Sequence, residues 1–175
     1  MPNWCENKVY VYGPTEDVDA FFNKCYDNVS RDFQMLEMHL PTPESTVDES
    51  GNETSDWYQW RIDNWGSKWE FKIGRLLQYE GDTNTGMTTL GFYGDTPWGP
   101  PLFGLESISA MYPKLMFYIE YEEPGMGFAG YSQFVNGEEV EGQQVDMYKH
   151  VDMFLENVEY EYEVYIPNKK EETNV

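Results

Sequence analysis

Side chains able to do chemistry are few and scattered along this chain. An enzyme would call for a nucleophile with a base, or a carboxylate pair beside a histidine, and only two histidines are present, His39 and His150. His39 stands beside a proline-bounded turn, and His150 lies in a helical run on the side away from its apolar stripe. A lone imidazole in either setting reads as structural or exposed. Glu122-Glu123 and Glu138-Glu139 supply adjacent carboxylates, but among turn residues, where solvated surface is the expected environment. Asp146, His150 and Asp152 are spaced i, i+4 and i+6, which does not bring three ligands to one helix face. The patterns G-x-S-x-G, H-E-x-x-H and the P-loop are absent. No catalytic residue, metal site or cofactor is assigned, and the chain is not expected to be an enzyme.

Charge gives a firmer direction. The 175 residues hold 32 acidic and 11 basic side chains, for a net charge of -21. Affinity for nucleic acid depends on lysine and arginine displacing counterions from phosphates, so direct DNA or RNA binding is not expected. Two readings of the acidity stand side by side. It keeps the protein soluble, or it imitates nucleic acid and fills a basic groove on another protein. The second reading names Glu120, Glu122, Glu138, Glu139, Glu159, Glu161 and Glu163 as the partner-binding face.

Tryptophan, glycine and proline cluster in two blocks, Trp65-Gly66-Ser67-Lys68-Trp69-Glu70 and Phe92-Tyr93-Gly94-Asp95-Thr96-Pro97-Trp98-Gly99-Pro100-Pro101. No helical or strand period explains that density. Indoles bury large apolar areas, glycine admits a close-passing ring, and proline fixes the chain direction. The blocks read as halves of one rigid aromatic corner. Alternatively they form a slot in which a planar ligand or nucleotide stacks, with Lys68 or Arg61 neutralising a phosphate. That slot would be lined by Arg61, Trp65, Lys68, Trp69, Asp95 and Trp98.

The elements that must hold these residues follow from periodicity. Lys8 to Tyr12 alternates as a strand, and Thr15 is placed to cap a helix with Val18, Phe21, Phe22, Cys25 and Val29 on one stripe. Cys25 on that stripe reads as a small core residue. Phe33 to Leu40 alternates as a second strand, and residues 44–55 form a polar loop. Ser55 or Asp56 caps a helix carrying Trp57, Trp60, Arg61 and Asn64, which stops at Gly66. Strands are expected over 87–93, 115–121 and 128–135, with a helix along Leu105, Ile108, Met111 and Tyr112. Asn136-Gly137 marks a tight hairpin into another strand. A helix with Met147, Tyr148, Val151, Phe154, Leu155 and Val158 on one face precedes a Glu/Tyr strand over 159–166. The start lacks a basic, apolar secretory pattern, no run is apolar enough to span a membrane, and Cys5 and Cys25 are too few for a disulfide framework. The cytoplasm is the expected compartment.

Met1-Pro2-Asn3-Trp4-Cys5 with Asn7, the Trp65–Glu70 block and Pro97-Trp98-x-Pro100-Pro101 occur in one order with two further blocks. These are Tyr112-Pro113-x-Leu115-x-Phe117, and Tyr121-x-Glu123-Pro124-Gly125 followed by Phe128-x-Gly130. The set resembles the YubB-type ferredoxin-like proteins encoded by phages and plasmids. The resemblance implies an α+β sandwich with a split βαβ core, an antiparallel sheet with helices on one face, and a mobile-element origin. It implies no catalytic residue. It covers 1–131, leaving 132–175 as an acidic extension of hairpin, helix and strand packed on the same domain. The expectation is a non-catalytic accessory protein in a bacterial host cytoplasm. It would bind a host protein, and as an anti-defence inhibitor it would act by nucleic-acid mimicry. The alternative is a nucleotide or small-ligand binder using the tryptophan slot.

Overall fold

The computed structural model describes residues 3–26, 32–44, 50 and 56–149. In chain order it holds β1 (Trp4–Pro14), α1 (Thr15–Cys25), α2 (Met35–His39), α3 (Trp57–Trp65), β2 (Lys72–Asp82), β3 (Met87–Pro97), α4 (Leu102–Met111), β4 (Met116–Glu123), β5 (Phe128–Val135) and β6 (Glu138–Asp146). The strands form one antiparallel sheet in the order β2-β3-β1-β4-β5-β6. β3 lies between β1 and β2, and β1 lies between β3 and β4. This interleaving of two βαβ halves is the ferredoxin-like arrangement, and β5 and β6 extend it as a meander.

Alternation sorts the two faces of the sheet. On β1, Cys5, Asn7, Val9 and Val11 are buried, and Val9 stands opposite Phe92 of β3 and Ile119 of β4. These pack with Phe117, Leu90 and Phe134 against Val18 and Phe21 of α1 and Leu105 and Ile108 of α4. Phe21 is met edge-on by Phe117 and Tyr112, at 5.2 and 5.6 Å between centroids. The core is therefore held by aromatic contacts between helix and sheet. Among the described residues the helices all lie on this face. The opposite face carries Tyr10, Tyr118 and Tyr131 in a row, 6.4 and 6.0 Å apart. Gly91 makes that row possible, since a Cβ there would stand 2.8 Å from the Tyr10 ring.

Two local expectations are corrected. The alternating run 33–40 is not a strand. Apart from one bridge from Phe33 to Tyr26 it forms the short helix α2. A carboxylate from elsewhere holds the free N–H groups of its first turn, a tertiary contact that periodicity does not reveal. Thr15 does not cap α1 with its side chain. Its hydroxyl meets the Gly86 carbonyl at 3.0 Å and the Thr88 hydroxyl at 2.8 Å, tying the helix start to the β2–β3 turn. By contrast Asp56 caps α3 by accepting the Gln59 N–H at 3.0 Å, and Gly66 ends that helix in the left-handed region, φ 76°. The Asn136-Gly137 hairpin has positive φ at both residues, 50° and 81°. β5 carries the chain through the expected division at 131/132 without a break. The expected strand over 159–166 and nearly all of the helix before it, His150 included, lie outside the described residues. Among the described residues no helix is long and apolar enough to cross a membrane.

Candidate functional site

Two exposed surfaces bring chemistry-bearing side chains together. The first is the helix-free face of the sheet. Register places Asp95 of β3, Glu6 of β1 and Glu122 of β4 side by side across three adjacent strands. Direct neighbours of like charge on one sheet face repel. One pair further along, Lys8 meets Glu120 at 3.5 Å and neutralises part of this surface. Asp95 Oδ1 is buried and accepts no hydrogen bond from the described residues. Burial, with hydrogen bonding to Glu6, pushes the neighbouring Tyr93 phenol well above its usual range.

The expected acidic face is only partly assembled. Glu120 and Glu122 share this surface, and Glu138 joins them because it pairs with outward-facing Val135. Glu139 pairs with core-facing Phe134 and stands on the helix side instead. Glu159, Glu161 and Glu163 lie outside the described residues. Pattern reasoning passed over Glu6, Asp95 as an acid, and Glu141, whose carboxylate accepts the Tyr131 hydroxyl at 3.0 Å. Strand alternation from Lys8 backwards would have found Glu6. Glu123, read as solvated, is buried and accepts the N–H groups of Gly125 and Met126, closing the β4–β5 turn.

The second surface is the aromatic corner, where the two tryptophan-rich blocks do meet. A Cβ on Gly66 would stand 3.4 Å from the Pro100 carbonyl. Asn7, buried on the core side of β1, donates to the Thr96 hydroxyl at 2.9 Å. That hydroxyl donates to the Gly99 carbonyl at 2.7 Å, and the Trp98 N–H reaches the Asn3 carbonyl at 2.9 Å. So the first residues of the chain shape the turn that presents Trp98. The six slot residues separate into two groups and a singleton. Trp65 is buried, and its indole N–H donates to the Leu40 carbonyl at 3.0 Å. Arg61 lies over Trp65 at 4.5 Å and pairs with Glu37 at 3.1 Å, so its charge is already engaged. Asp95 belongs to the sheet face. Lys68, Trp69 and Trp98 come together, and Tyr58 and Trp4 join them. The Lys68 ammonium stands 4.9 Å from the Trp69 ring, 5.4 Å from Tyr58 and 5.9 Å from Trp98, and Trp4 stands 5.9 Å from Trp69.

Glu70, from the same block, was missed as a hub. Its carboxylate accepts the N–H groups of Leu36, Glu37 and Phe71 at 2.8, 2.6 and 2.9 Å. Burial outweighs these donors and pushes its pKa up to about 7. His39 is buried against Phe21, with ring nitrogens 2.8 Å from the Met35 carbonyl and 2.9 Å from the Tyr112 hydroxyl. Both thiols are buried and pushed up by that burial, so neither is poised as a thiolate. A groove of about 530 Å³ at the far end of the sheet is lined by Tyr12, Met87, Met116, Val135 and Val140 with Lys114 and Glu141, and no histidine or cysteine lines it. No group of three metal-type ligands occurs among the described residues.

The fold and the two surfaces define a ferredoxin-like α+β domain with one face of its sheet uncovered among the described residues. The chain belongs to the family described as the ferredoxin-like domain in Api92-like protein, whose model matches residues 78–168. It is also similar to the crystal structure of a protein Api92 from Yersinia pseudotuberculosis, with a TM-score of 0.49 and 12% identity over 83% of this chain and 98% of that one. None of the curated proteins matches the chain.

Proposed function

We propose that this chain is a non-catalytic binding module that docks a basic protein surface on the helix-free face of its sheet. The observation that carries this is the row Asp95–Glu6–Glu122 across three hydrogen-bonded strands. Strands lie roughly 4.8 Å apart, so these carboxylates repel at close range and lower the stability of the free sheet. A cationic partner relieves that repulsion. The net charge of -21 steers such a partner in and turns anionic ligands away. The blocks that resemble YubB-type phage and plasmid proteins support a partner inside a bacterial host. A nuclease or other nucleic-acid-binding defence factor has the basic groove this face would fill.

The test is affinity capture from bacterial lysate at low and high salt, comparing the parent chain with a Glu6→Lys/Glu122→Lys variant. The parent should retain a partner that is lost as salt screens the charges. The variant should retain none. Equal capture by both proteins rules the sheet face out.

A further inference from the structure

Trp98 is one of only two non-glycine residues with positive φ among those described, at 65°, and the residue is 43% exposed. Left-handed backbone is unfavourable for a bulky L-residue, and strain of this kind gathers at binding sites. Here it holds an indole outward, against Lys68. The Lys68 ammonium lies within 6 Å of three ring centroids and makes no ion pair with the described residues. Rings converging on a cation in this way form an aromatic cage, and the faces of tryptophan and tyrosine attract any cation that enters. Trp4, whose ring contacts Trp69, stands opposite Pro97. One side-chain repeat along the same sheet face, roughly 7 Å on, Glu6 stands opposite Asp95.

We propose that Tyr58, Trp69 and Trp98 form a slot for an arginine side chain of the basic partner, and that Lys68 plugs it in the free protein. This rests on the docking function proposed above and names the group that would be gripped. Arginine fits because its guanidinium is planar, stacks on indole and carries several donors in a fixed fork. Bound between Trp69 and Trp98, it stands near Trp4, one side-chain repeat from Glu6, whose exposed carboxylate favours a cation there. The field of a -21 protein draws such a group in and disfavours an anion at the same place. Lys68 has a long flexible stem and can swing out into water as the arginine enters.

The test is an NMR titration of the full chain, following the indole N–H signals of its tryptophans. The probes are the peptide Gly-Ser-Arg-Ser-Gly and the same peptide with citrulline, uncharged but of equal shape, in place of arginine. Trp69 and Trp98 signals should move with arginine only. Lys68→Met, which removes the internal competitor and keeps the bulk, should bind the arginine peptide about threefold more tightly, and Trp98→Ala at least about threefold more weakly. The idea is overturned by equal shifts with citrulline, by no shift at millimolar peptide, or by Lys68→Met binding equally or more weakly. If the cage fails while Glu6→Lys/Glu122→Lys still abolishes capture, only the cage is wrong. If the cage works and capture survives that variant, only the sheet-face function is wrong.

Discussion

Glu70 Oε2 accepts the backbone N–H of Glu37 at 2.6 Å, joining a side chain of the tryptophan-rich block to a helix 33 residues earlier. Its other oxygen takes the N–H groups of Leu36 and Phe71. This carboxylate is what lets five residues, Met35–His39, hold a helix too short to persist alone. Glu70→Ala leaves three donors without a protein acceptor and should cost about 3 kcal/mol by urea denaturation.

The same carboxyl sets a pH dependence. Its folded pKa of about 7 lies above the ordinary 4.5, so between those values the folded chain binds the extra proton. Its contribution to stability is therefore greatest at low pH and falls as pH rises from about 4.5 to about 7, by up to roughly 3 kcal/mol. Glu70→Gln has no proton to lose there. The difference in unfolding free energy between parent and variant should change with pH across that window and be flat above it.

His39 acts in the opposite sense. Burial lowers its pKa, so below about 6.5 the unfolded chain takes a proton that the folded one resists. Stability contributed by neutral His39 is present above that pH and lost as pH falls. His39→Gln should flatten the acid-side loss, while costing about 2 kcal/mol at pH 8 through the lost stack on Phe21. Thermal melts at pH 5.5 and 8 read both effects.

Gly94 packs where β3 passes Phe71. A Cβ there would stand 2.3 Å from the Phe71 ring and 2.5 Å from the Lys72 carbonyl, and neither can retreat without moving the sheet. Gly94→Ala should destabilise by about 3 kcal/mol. A measured loss below about 1 kcal/mol would show that this strand pair yields to an added methyl.

Trp98 separates backbone strain from ring packing. Glycine tolerates φ 65° and alanine does not, so Trp98→Gly should be more stable than Trp98→Ala by about 1 kcal/mol, although both remove the same ring. Comparing their denaturation midpoints isolates the backbone term.

Much of the fold was legible because it depends on neighbours in the chain. The alternation of Val9 and Val11 with Lys8, Tyr10 and Tyr12, the Asp56 cap, the stop at Gly66 and the Asn136-Gly137 hairpin are local chemistry, and each stands in the structure. The run 33–40 misled because α2 is held by Glu70, and a period carries no record of a distant acceptor. The sites were half legible for the same reason. Residue type marked Lys68, Trp69 and Trp98, but only packing showed that Arg61 is engaged by Glu37 and that Trp65 is interior. The sequence by itself determined the charge, the ring content and the alternation of the strands, since these are properties of composition and spacing. Tertiary structure alone decided that Asp95, Glu6 and Glu122 stand in one row and that three rings close on Lys68. Register between strands and the meeting of loops tens of residues apart are set by the whole core at once.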